Sequence, residues 1–128
     1  MHEHPAMVIF NETHWLPKMY ETIGDQRVHW RRLLDIAKNT SWVSGECLLD
    51  VNSKWAGHDS YTDIEVALEH ELALFGEVNI QIFSEVLVSV LFGDHEYWGD
   101  KTPDYGYHMD AIQHIWPHCK FLHIFRNP

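Results

Sequence analysis

Long apolar runs, cysteine and positive charge are all scarce in this sequence, and each scarcity removes a class of function. No stretch approaches the roughly 20 consecutive apolar residues that would span a bilayer. The amino-terminal MHEHPAMVIF has neither a basic region nor a long apolar run, so it does not read as a secretory signal. Two cysteines, Cys47 and Cys119, do not read as a disulfide framework, and the expected compartment is the reducing cytoplasm. Nine basic residues stand against 19 acidic ones, a formal charge of −10 with histidines neutral. Nucleic-acid binders gain affinity by neutralising phosphates with Lys and Arg, so this balance argues against one. Any anion site must be built from local charge.

What is present is enough for a folded unit. The 128 residues are 45% hydrophobic and 13% aromatic, a globular rather than a disordered composition. No internal repeat, low-complexity run or linker interrupts them, so residues 1–128 are read as one domain. Ala6–Phe10 is a brief apolar run, a buried strand. Gln26–Lys38 has amphipathic helical spacing with Asp25 as N-cap, and Thr62 opens a second helix at capping-box spacing with Glu65. Ser41–Ser60 reads as loop. Val78–Phe92 is apolar on nearly all sides, a buried helix ended by Gly93. Tyr97–Lys101 reads as a short strand, Gly106–Ile115 as a helix closed by Pro117, and Lys120–Phe125 as a central parallel strand. Strands alternating with helices in this way predict an α/β fold with a parallel sheet.

In such sheets ligands gather beyond the carboxyl ends of strands. Three polar clusters fall there: Asn11-Glu12-Thr13-His14, Asp100-Lys101-Thr102-Pro103 and Arg126-Asn127-Pro128. A Lys or Arg beside a strand end can hold a phosphate or sulfate group. Asp100, Asp104, His14 and His108 are all positioned by sequence to serve as a general base, and none stands out. The 11 histidines raise a metal site as a rival. However, no CxxC, HExxH or paired ExxH spacing occurs, and Pro117 keeps His114 and His118 from sharing a helical face, so no metal is expected.

The order Trp98-Gly99-Asp100-Lys101-Thr102-Pro103, a helix with Trp116-Pro117, then Lys120-Phe121-Leu122-His123-Ile124-Phe125-Arg126-Asn127-Pro128 resembles the sulfotransferase family. Upstream, His4-Pro5 and Asn11-Glu12-Thr13-His14-Trp15 are similar to the stretch that follows the phosphosulfate loop in bacterial-type members. The resemblance implies a partial P-loop-type three-layer α/β fold, with a short parallel sheet and a large helical insertion over about residues 25–93. It implies transfer of a sulfuryl group from 3′-phosphoadenosine 5′-phosphosulfate (PAPS) to a hydroxyl or amine of a small-molecule or glycan acceptor. Lys101 matches the lysine that faces the transferring group, and Arg126 matches the arginine that binds the 3′-phosphate.

The departures shape a second set of expectations. The family's glycine-rich loop would precede His4-Pro5, where only Met1, His2 and Glu3 stand, and the second 3′-phosphate contact would follow Pro128. The chain is therefore expected to be an internal fragment, inactive or nearly so alone, and to self-associate through exposed sheet edges. The rival classes are a non-catalytic helical scaffold derived from the same fold, and a helical metal-binding protein.

Overall fold

A computed structural model of the protein describes residues 6–124. Strand β1 (Met7–Asn11) leads into helix α1 (Trp15–Ile23), then β2 (Val28–His29), α2 (Trp30–Lys38), α3 (Leu48–Trp55) and α4 (Thr62–Ala73). The chain continues through β3 (Glu77–Val78), α5 (Ile80–Phe92), β4 (Tyr97–Lys101), a 3-10 turn over Pro103–Tyr107 and α6 (Met109–Ile115). β1 and β4 pair in parallel, with Phe10 opposite Asp100 and Asn11 opposite Lys101. β2 and β3 form a separate, short antiparallel pair. The molecule is thus a mixed helix-and-strand fold with a short parallel sheet. Among the described residues no further strand lies beside β1 or β4.

The core runs from the parallel pair into the helices. Val8 and Phe10 alternate inward on β1 and meet Leu16 and Met19 of α1, Leu33 and Leu34 of α2, and Phe83 and Leu87 of α5 in one buried cluster. Phe10 is the aromatic hub, edge-to-face with Trp15, Phe92 and Trp98 at centroid distances of 6.0, 5.5 and 5.8 Å. The amide oxygen of Asn79 accepts from the Ile82 backbone and starts α5, and Gly93, at a φ of 79°, releases the chain after it. The sequence expectations for that helix and for the Tyr97–Lys101 strand hold, with α5 beginning two residues late because Glu77–Val78 pairs with β2.

Other expectations need correction. The Gln26–Lys38 helix begins only at Trp30, and its cap is the His29 ring, whose Nδ1 accepts from the Arg31 backbone, rather than Asp25. Thr62 does begin α4, but Tyr61 takes the N-cap position and no side chain caps it, so the Thr62–Glu65 capping box does not form. The last helix starts at Met109, the preceding Pro103–Tyr107 being a tighter 3-10 turn. The Ser41–Ser60 stretch is not all loop, because α3 forms within it. Its inward face is partly polar: Asn52 and Ser53 are fully buried, each bonded to the carbonyl one turn back, so the apolar spacing that marks a helix is broken. α1 is likewise hidden, because Pro17 falls in its first turn, where proline is tolerated but reads as a breaker.

The expected strand over Lys120–Phe125 is not formed at residues 120–124, and Phe125 lies outside the described residues. Leu122 and Ile124 are 87% and 86% exposed. An apolar, β-prone segment becomes a strand only when a neighbouring strand takes up its backbone groups. No described strand runs alongside this one.

Candidate functional site

The carboxyl ends of β1 and β4 lie side by side, so the residues that follow them converge. The ladder extends one step past Asn11, as the Glu12 backbone N–H donates to the Lys101 carbonyl at 3.1 Å. There the chain turns sharply: Glu12 and His14 both adopt left-handed backbone at a φ of 57°, unusual for residues with side chains. Three groups hold this turn. The Asn52 side chain accepts from the Asn11 N–H at 2.7 Å and donates to the Glu12 carbonyl at 3.1 Å. Thr13, fully buried, gives its backbone N–H to Thr102 Oγ1 at 2.9 Å and its hydroxyl to Asp100. The Tyr105 hydroxyl touches Thr13 Oγ1 and accepts from the Leu16 backbone at 3.2 Å, joining the start of α1 to the same knot.

The result is a charged cluster at the rim. Glu12 Oε1 is 3.4 Å from Lys101 Nζ, while its Oε2 accepts from the Trp42 indole at 3.0 Å and lies 3.3 Å from His14 Nε2. His14 Nδ1 is 3.7 Å from the Asp104 carboxylate, so the imidazole stands between two acidic groups. The Lys101 side chain is 63% exposed and Glu12 is 23% exposed, which leaves the ammonium open to solvent and the carboxylate half-sheltered. Partial burial pushes the Glu12 pKa up, but its bonds to His14 and Trp42 and the charge of Lys101 outweigh this and hold it below the ordinary carboxylate value.

Asp100 lies on the other side of the strand end. The residue is half-buried, with its carboxylate turned inward to accept from the Thr13 and Thr102 hydroxyls. Burial raises its pKa from 3.8 to about 6, and the two threonine hydroxyls only partly offset the loss of water. Burial, with the nearby Asp100 charge, also raises the Tyr105 phenol, which stays protonated and able to donate. Adjacent residues 100 and 101 therefore do different work, one fastening the turn from inside and the other facing outward.

Of the residues singled out in the sequence, Lys101, Glu12, His14 and Asp104 come together here. His108 occupies the N-cap position of α6 without a side-chain cap bond, and its backbone N–H donates to the Tyr105 carbonyl at 3.0 Å. Arg126 lies outside the described residues. No motif marks Trp42, whose indole reaches Glu12 across 30 positions, or Asn52. A buried asparagine in a helix that breaks apolar spacing was the available clue. Among the described residues no group of three or more His, Cys, Asp or Glu could hold a metal ion, and no helix is long and apolar enough to cross a membrane.

The family model described as the sulfotransferase family matches residues 1–128. No curated protein and no solved structure matches the chain.

Proposed function

The chain belongs to the sulfotransferase family, and from that premise we propose that residues 1–128 are part of a PAPS-dependent sulfotransferase domain of P-loop-type architecture. The observation that carries the reading is the exposed Lys101 ammonium at the end of a parallel strand pair, 3.4 Å from the Glu12 carboxylate. PAPS supplies the sulfuryl group together with an anionic nucleotide leaving group. Sulfuryl transfer, like phosphoryl transfer, calls chiefly for positioning and for positive charge where negative charge develops. Lys101 supplies that charge, and Arg126 takes the 3′-phosphate of the nucleotide.

The acceptor oxygen or nitrogen forms its bond to sulfur as the sulfur–oxygen bond to the nucleotide breaks, and the acceptor must lose a proton. Glu12, with the His14 imidazole beside it, is the group at hand to receive it. Its lowered pKa keeps it ionised, though as a weaker base than an ordinary carboxylate, and the His14 imidazole beside it shares the proton. The acceptor is a small molecule or a glycan, and the compartment is the cytoplasm. The 128-residue chain alone is inactive or nearly so, because no glycine-rich phosphosulfate loop occurs within it.

The test is sulfate transfer from radiolabelled PAPS. In the polypeptide that contains the whole domain, Lys101→Ala should lower kcat by about 10²–10³-fold, the scale of losing one preorganised charge-stabilising group. An unchanged rate would overturn the role of Lys101, and transfer by the 128-residue chain alone would overturn its inactivity.

A further inference from the structure

Between α2 and α3 the chain folds into a short hairpin whose sequence surrounds one large aromatic, Trp42, with turn residues. The Trp42 backbone N–H donates to the Glu46 carbonyl at 3.0 Å, the Gly45 N–H donates to the Trp42 carbonyl at 2.8 Å, and Ser41 bridges Cys47. Gly45, at a φ of 94°, takes the left-handed position that closes such a turn. The neck is tied to the end of α2. Thr40 Oγ1 donates to the Ile36 carbonyl at 2.7 Å, and Cys47 Sγ donates to the Lys38 carbonyl at 3.3 Å. Ser41 and residues 43–46 are exposed, whereas Trp42 packs against the core.

An indole has one polar atom, and that atom only donates. Trp42 Nε1 meets Glu12 Oε2 at 3.0 Å, and His14 Nε2 lies 3.3 Å from the same oxygen. Among the described residues, Glu12 Oε1 has one contact, Lys101 Nζ at 3.4 Å, long for a charge-assisted hydrogen bond. The two oxygens of one carboxylate are thereby made unequal. Oε2 is occupied by two neighbours, while Oε1 keeps open lone pairs beside the ammonium. Glutamate does not arrange this by itself, because its terminal torsion has only a broad, two-fold preference. A donor fixed by a separate element decides which oxygen faces Lys101.

We propose that Trp42 is a positioning residue of the transfer site: by holding Oε2 of Glu12 it presents Oε1, on the Lys101 side, as the atom that takes the acceptor's proton. The acceptor's O–H or N–H bond breaks and its proton passes to Oε1. The electron pair left behind forms the bond to sulfur, and the sulfur–oxygen pair departs with the nucleotide. The reaction in this proposal rests on the sulfotransferase reading; the Trp42–Glu12 contact does not.

Orientation and base strength pull the rate in opposite directions, which makes the role testable. The indole is one of the donors that hold the Glu12 carboxyl below its ordinary value, so deleting its N–H makes Glu12 a stronger base. His14, Lys101 and Asp100, the titratable groups around Glu12, are untouched by that change. A purely electronic role for Trp42 predicts a higher kcat without the N–H. A positioning role predicts a lower one.

The experiment has a binding-independent arm and a kinetic arm. In the 128-residue chain with ¹³C-labelled glutamate carboxyls, the Trp42 indole N–H resonance should follow the Glu12 titration. Trp42→Phe, which keeps a ring on the hairpin, should move that titration to higher pH. In the polypeptide that contains the whole domain, the same substitution should lower kcat about two- to tenfold, the scale of one hydrogen bond, and leave KM unchanged. The acid limb of its kcat profile should shift upward with Glu12. An indole resonance indifferent to Glu12, an unmoved titration, or a kcat that is unchanged or raised would each overturn the role. No transfer by the parent domain would overturn the sulfotransferase reading and the role together; transfer by the parent with no loss in the variant would overturn the role alone.

Discussion

Asp100 precedes the exposed Lys101 but turns its carboxylate inward, and this orientation makes it a titrating element of the fold. Unfolded, it releases its proton near 3.8; folded, it keeps the proton to about 6. The folded state binds more protons between those values, so this residue's contribution to stability is complete below about pH 4 and is lost as pH rises through about 6. Asp100→Asn keeps an acceptor for one threonine and a donor for the other but cannot ionise. Relative to the parent, the variant should gain about 1–3 kcal/mol between about pH 4 and pH 7, from a shift of about two units at 1.36 kcal/mol each, discounted for partial exposure. Urea unfolding at both pH values reads this directly, and parallel behaviour of the two proteins would contradict it. Glu12 acts in the opposite sense: its lowered pKa gives stability that is present above the ordinary carboxylate value and lost as pH falls through the depressed one. Lys101 was legible in the sequence because a short motif carries it. The inward turn of Asp100 was not, since it depends on where Thr13, 87 positions away, comes to lie.

At the scale of elements, α3 has the largest effect for the weakest signal. It supplies Asn52, which satisfies the Asn11 N–H and the Glu12 carbonyl where the ladder ends and the backbone turns left-handed. Those groups are sheltered from water, and leaving them without partners costs about 1–3 kcal/mol each. Asn52→Ala should therefore destabilise the protein by about 2–4 kcal/mol and release Glu12 from the Trp42 indole, whose N–H resonance would move. A loss below about 0.5 kcal/mol, with the indole signal unmoved, would show that the turn holds itself. The helices with apolar stripes, α2, α4 and α5, were readable to within a few residues. α1 and α3 were not, because one carries a proline in its first turn and the other buries polar side chains. The segment 120–124 misled in the opposite direction: its residues favour a strand, but strand formation also needs a neighbour, which no residue's own propensity supplies.

The molecule as a whole joins its parallel pair across almost its full length. Tyr97 pairs with Met7 and Lys101 with Asn11, and residues 12–96 lie between. Contacts among the helices are mostly between neighbours in the chain, such as α1 with α2, α2 with α3, and α4 with α5. Bringing distant strands together costs loop-closure entropy that neighbouring helices avoid, so non-local pairings form slowly and late. The order of assembly follows. The helical layer gathers first, β4 reaches β1 afterwards, and the Glu12–Lys101 contact exists only once that step is complete. Amides of Val8, Phe10 and Asp100 should then exchange with solvent faster than those of Leu33, Leu68 and Leu87, and equal protection across both groups would argue for a single concerted unit. The part of the chain that carries its charge chemistry is thus the last to be acquired during folding and the first to be given up when the protein loosens.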